Sequence, residues 1–149
     1  MDDIDYIQPF MSAKITHKAQ AEHNEKLALQ LSNSDSFDWS ITCAFYAALH
    51  YVEAKFATLP KILHTEECFN RNKDFANEAK ITNVHSFREW LISKNFSKTV
   101  YGCYKQLQRN SEIARYLEDA RNKTAFTYFT KEIVKKLLDN LNTIKNELS

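Results

Sequence analysis

Tyr46, His50 and Glu53 fall at i, i+4 and i+7, which puts all three on one face if the segment is helical. An imidazole beside a carboxylate is an acid–base pair, because its pKa lies near neutral pH and the carboxylate can tune it. The same trio also suits a polar seam where helices meet. A second set is basic: Lys94, Lys98, Tyr101, Lys105 and Arg109 share one helical stripe. Such a stripe can follow a phosphate backbone while its aromatic stacks on a base, and it is equally the outer face of a solvated helix.

The elements that must hold these residues read as helices throughout. Residues 11–34 carry Ile15, Ala19, Leu27 and Leu31 at helical spacing. Ser32-Asn33-Ser34-Asp35 breaks that run, and Ser36 is placed to cap a second helix reaching about Ala57. This second helix is apolar on two sides, with Ile41, Phe45, Leu49, Val52 and Phe56 on one and Trp39, Cys43, Tyr46 and His50 on the other. A helix apolar nearly all round belongs at the centre of a fold or in a dimer interface. Leu59-Pro60 ends it. Thr65 with Glu66 and Glu67 suits the start of a shorter helix to about Ala79. Ser86 to Glu89 has the capping-box pattern, predicting a short helix through Leu91. Phe96, Val100, Tyr104, Leu107, Ser111 and Ala114 predict a helix over 96–118, and Thr130 caps a last one with a strong apolar face from Ile133 to Leu148. The expected fold is all-α: a compact bundle of four main helices, with one or two short helices between the second and third, in a single domain over 1–149.

Composition excludes several classes. The one glycine, Gly102, and two prolines leave no Gly-rich phosphate loop and few tight hairpins among 149 residues. Cys43, Cys68 and Cys103 are odd in number and widely spaced, so neither a disulfide framework nor a cysteine metal site is expected. No cofactor and no metal follow from the motifs. No apolar run is long enough to span a membrane, and the acidic start, Met1-Asp2-Asp3-Ile4-Asp5, is unlike a secretory signal. These features predict a cytoplasmic protein. The net charge is +1, unevenly distributed: residues 1–38 carry a net −4 and residues 94–123 a net +4.

Phe45-Tyr46-Ala47-Ala48-Leu49-His50 resembles the Tyr-Tyr-Ala-x-x-His segment of the HEPN domain family. His64, Phe69 and Ala114-Arg115-Tyr116 follow in the order that family shows, and the resemblance covers roughly residues 19–145. It implies a helical bundle. It also implies a setting among metal-independent ribonucleases that serve as toxins or defence effectors, often as homodimers and sometimes beside a nucleotidyltransferase partner. The family's nucleases carry Arg-x4-His-x-Tyr. Here Arg109, Asn110 and Tyr116 match that pattern, whereas Ala114 stands at the histidine position. Alanine cannot move a proton, and losing a general acid–base group typically costs 10²–10⁴-fold in rate.

The resemblance thus implies a HEPN-like module that binds RNA, a nucleotide or a partner protein without the family's ribonuclease activity. Tyr46, His50, Arg109, Asn110 and Tyr116 are its expected binding residues. One alternative is an active metal-independent ribonuclease using displaced histidines, with His50, His64 and Arg109 as catalytic candidates. Another is a non-catalytic, dimerising interaction subunit.

Overall fold

A computed structural model describes the backbone of residues 4–116 and 125–149 and the side chains of 13–116 and 127–149. Every regular element among them is helical: α1 (Ile4–Asn33), α2 (Phe37–Phe56), α3 (Thr65–Arg71), α4 (Lys73–Glu78), α5 (Val84–Asn95), α6 (Lys98–Tyr116), α7 (Ala125–Tyr128) and α8 (Lys131–Leu148). No described helix is long and apolar enough to cross a membrane.

One apolar stripe of α2, together with its alanines, is consumed inside the chain. α1, α6 and α8 all pack on it, and Ile41, Ala44, Phe45, Ala47, Ala48, Val52 and Phe56 are buried. Trp39, at the start of the second stripe, is 61% exposed. Cys43, Tyr46 and His50 further along are half-buried, so this side of α2 borders the surface where chemistry is accessible.

α1 packs in a different phase from the one its large residues suggest. Ile15 and Leu29 point to solvent and Leu27 is partly exposed, while Ala21 and Ala28 are fully buried. The buried side runs through His17, Ala21, Asn24, Ala28 and Leu31, steps of four and three that keep one face of a helix. Small side chains there meet Ala44, Ala47 and Ala48 of α2 in one core, so the backbones approach closely. The contact is fixed by Ser40 Oγ, which donates to the Ala28 carbonyl at 2.7 Å in the interior.

Between α2 and α6 lie α3, α4 and α5, where one or two short helices are expected. The difference arises at Asn72. Its backbone leaves helical geometry (φ −119°, ψ 35°), and its side-chain amide donates to the Cys68 carbonyl at 2.7 Å, so the single helix expected over 65–79 splits into α3 and α4. The start of α5 also moves. Asn83 is the cap, accepting from Ser86 N–H at 2.9 Å, and Ser86 lies inside the helix, which leaves Glu89 free to bond elsewhere. Ser36 precedes α2 without a side-chain cap bond, whereas Thr130 caps α8, accepting from Ile133 N–H at 3.3 Å.

With glycine scarce, other residues take the left-handed turns. Asp35, Leu63 and Lys80 have φ near +60°. Asp35 and Lys80 sit just past the ends of α1 and α4 in Schellman geometry. There Ser36 N–H returns to the Leu31 carbonyl and Ile81 N–H to the Ala76 carbonyl. Leu63 is the centre of a three-residue turn closed by His64 N–H to the Ile62 carbonyl at 2.8 Å, a rare and strained form. It delivers His64 and Thr65 back towards α2.

Candidate functional site

Two polar assemblies flank the exposed side of α2. The first is a groove of about 670 Å³ between α2, α5 and α6. Lys105, Arg109, Glu112 and Tyr116 line it at steps of four, three and four along α6, so the helix contributes one continuous stripe. α5 and its cap supply Asn83, His85, Ser86 and Glu89, and α2 supplies Phe45 and Tyr46.

Arg115 is the fixed cation of this groove. Its Nη1 donates to Tyr46 Oη at 3.0 Å, and its Nε donates to the Ser111 carbonyl at 3.2 Å. The guanidinium carbon lies 5.0 Å from the Tyr116 ring centroid, 5.5 Å from Tyr46 and 5.9 Å from Phe45, within the range of cation–π attraction. Arg109 stands 3.5 Å from Glu112, and Lys105 bonds Glu89 at 2.5 Å, so α5 neutralises part of the basic stripe. Tyr116 is 64% exposed and presents its ring at the groove. Gln108, also lining it, has a buried Oε1 with no hydrogen-bond partner among the described residues, an acceptor that calls for a donor.

The groove brings together three of the expected binding residues, Tyr46, Arg109 and Tyr116, and adds Arg115 and His85. Asn110 is not among its lining residues; its amide donates to the Gln106 carbonyl of its own helix at 2.8 Å. Ala114 packs against the core cluster instead. His50 and His64 are outside it as well. The histidine in the groove is His85, 3.4 Å from Arg88 Nη1. Burial, followed by the nearby Arg88 and Arg115 charges, pulls its pKa below the ordinary value, which leaves a neutral ring able to accept a proton at pH 7. The basic segment's Glu118, Asp119, Arg121 and Lys123 lie outside the described residues.

The second assembly surrounds Glu53, whose side chain is 1% exposed. Its Oε1 accepts from Arg88 Nε at 2.8 Å and from Thr65 Oγ1, and its Oε2 accepts from Thr65 N–H at 3.2 Å. Burial raises the carboxyl pKa, but Arg88, the Thr65 bond and His64 outweigh it, and the net shift is downward. Around this carboxylate stand three histidines. His17 Nδ1 lies 3.0 Å from His50 Nδ1; the His17 ring stacks on His50 at 5.3 Å and on His64 at 5.5 Å between centroids; His64 Nε2 is 3.9 Å from Glu53 Oε2.

The expected alignment of Tyr46, His50 and Glu53 on α2 therefore resolves into two sites, with Tyr46 in the groove and His50 and Glu53 in the histidine cluster. His17 and Arg88 escaped the sequence reading. His17 sits on the alanine side of α1, whose steps of four and three are visible once small residues are counted as buried. Arg88 carried no signal beyond being the one arginine of its helix.

Comparison with protein-family models, with curated proteins and with solved structures finds no match to this chain.

Proposed function

We propose that the chain is a HEPN-like binding module, built on four main helices (α1, α2, α6 and α8), whose groove takes single-stranded RNA or a nucleotide without cleaving it. The observation that carries this reading is Arg115, held by Tyr46 and faced by the rings of Phe45, Tyr46 and Tyr116. An exposed aromatic beside a fixed guanidinium suits a stacked base next to a phosphate. Arg109 and Lys105 extend the positive stripe along α6, and the unpaired Gln108 Oε1 would accept from a base amino group or a 2′-hydroxyl. Ala114 at the histidine position of the resembled motif supports binding over cleavage.

Fluorescence anisotropy with a labelled single-stranded RNA, in EDTA and over a salt series, tests this. Wild type binds at low salt with a falling log K against log salt, and Arg115→Ala and Tyr116→Ala each weaken binding about tenfold or more, within the ~1–3 kcal/mol that base stacking supplies. No binding at about 50 mM salt overturns the reading, since electrostatic contacts are strongest there.

His85 favours one second reading, an active ribonuclease. In that chemistry the 2′-oxygen attacks phosphorus, His85 takes the 2′-hydroxyl proton, Arg109 and Arg115 stabilise the phosphorane charge, and the 5′-oxygen leaves with a proton from solvent. Cleavage in EDTA that His85→Ala abolishes while RNA binding persists would establish it in place of the first.

A further inference from the structure

The histidine cluster is separate from the groove, and neither reading of the groove uses it. We propose that His17, His64 and Glu53 form a binding site for a divalent transition metal of the zinc type, with His50 holding the His17 ring.

Each of His17, Glu53 and His64 offers a ligand atom within 4.8 Å of those of the other two, close enough for one ion to reach all three after small side-chain adjustments. Two imidazoles and one carboxylate form a donor set of catalytic zinc and of other first-row metals. Nitrogen donors disfavour magnesium and calcium, which take oxygen. The ligands come from three parts of the fold: His17 from α1, Glu53 from α2 and His64 from the turn before α3. Two of them are anchored. Glu53 is pinned through Oε1 by Arg88 and Thr65, while Oε2 takes only the Thr65 N–H bond and faces His64. A carboxylate held through one oxygen and ligating through the other is the usual arrangement around a metal. His50, 3.0 Å from His17, supplies the outer contact that fixes a ligand ring.

Arg88 is the opposing charge, and its bond to Oε1 places it on the far oxygen of the carboxylate. The His64 side chain is 37% exposed, which leaves an entry path from solvent.

The experiment uses the full chain stripped with chelator and dialysed, titrated with Co²⁺ at pH 7.5 and then with Zn²⁺ in competition. One equivalent of Co²⁺ is expected to give d–d bands of four- or five-coordinate cobalt, which Zn²⁺ abolishes, and saturating Zn²⁺ raises Tm. His17→Ala and His64→Ala each weaken Zn²⁺ at least tenfold; His23→Ala, an exposed histidine of the same helix, leaves affinity unchanged. His64 is half-exposed, so His64→Ala keeps the test decisive if His17→Ala unfolds, with circular dichroism as the check on each. The proposal is overturned by no cobalt bands and no Zn²⁺ binding up to about 1 mM, a level equal to only ~4 kcal/mol of affinity, or by binding that His64→Ala leaves within twofold of wild type.

Discussion

Arg88 donates from Nε to Glu53 Oε1 across 2.8 Å with both side chains buried, and its Nη1 lies 3.4 Å from His85 Nδ1. One guanidinium thus touches the carboxylate of the histidine cluster and the histidine of the groove. It also ties α5 to α2 through the interior. The carboxylate needs it: charged groups are tolerated in a core when they are paired and hydrogen-bonded, and here Thr65 adds one bond to each oxygen.

Removing the cation should therefore cost more than removing both charges. Arg88→Met leaves Glu53 buried without its partner and is expected to destabilise the fold by about 3–5 kcal/mol in urea unfolding. Arg88→Met combined with Glu53→Gln is expected to recover part of that loss. A double-mutant coupling below about 0.5 kcal/mol, the level seen between independent sites, would show that the pair contributes nothing beyond its separate side chains.

Acid should weaken the fold in two stages with different causes. Burial holds the His17 and His50 pKa values below the ordinary 6.5. As pH falls through that value the unfolded chain takes up protons that the folded chain resists, and stability drops. Glu53 has a folded pKa below the ordinary 4.5, so its contribution is complete above that range and is lost as pH falls through the folded value. Urea midpoints from pH 8 to pH 3 should be flat above about pH 7 and fall first near the histidine range and again below about pH 4, the unperturbed ranges of the two groups. His17→Leu should shrink the first fall, which His50 and His85 share, and leave the second.

The phase of α1 makes a third expectation. Ile15 is 63% exposed and Ala21 fully buried. Ile15→Ala should change stability by less than about 0.5 kcal/mol, as surface substitutions do. Ala21→Leu should cost about 1–3 kcal/mol by overpacking the contact with α2. Equal effects in thermal denaturation would contradict the alanine-faced packing.

That reversal shows where sequence patterns stop being informative. α6 and α8 are amphipathic with large residues inward, and Val100, Tyr104, Leu107, Val134, Leu137, Leu141 and Ile144 are buried where periodicity places them. α1 buries its small residues, which periodicity weighs least, so His17 went unassigned with them. Tyr46 and Arg109 carry both a helical stripe and a family-like motif, and Tyr116 the motif alone; α2 and α6 pack together, so all three reach one groove. His85, Arg88 and Thr65 join their sites only through the turns that set α3 and α5 against α2, and those turns rest on single residues such as Leu63, Asn72 and Asn83 whose roles have no periodic signature.

Arg115 supplies a fourth expectation. A guanidinium that bonds Tyr46 and lies near three rings is not replaced by an ammonium. Arg115→Lys should keep the fold and the net charge yet weaken RNA binding by about tenfold, the equivalent of ~1.4 kcal/mol. Tyr46→Phe, which removes only the hydroxyl that receives Arg115 Nη1, should produce a smaller loss in the same direction. Unchanged affinity for both, measured by anisotropy at fixed salt, would mean that charge alone and not the stacked geometry of the guanidinium serves the groove.

Backbone conformation gives the fifth. Gly102 lies within α6, and a Cβ built there meets no atom within 4 Å. Gly102→Ala should therefore gain about 0.5–1 kcal/mol from helix propensity and reduced unfolded-state entropy, a rise of roughly 2–4 °C in Tm per kcal/mol for a chain of this size. Lys80 is the opposite case, an exposed residue held at φ 59° past the end of α4. Lys80→Gly places the residue that a Schellman turn favours and should also raise Tm. Lys80→Ala keeps the Cβ and should not. Since neither Gly102 nor Lys80 lines the groove or the histidine cluster, RNA binding and metal binding should be unchanged in both stabilised variants. A Gly102→Ala protein that melts lower than wild type would show that the helix interior at this point needs the freedom of glycine.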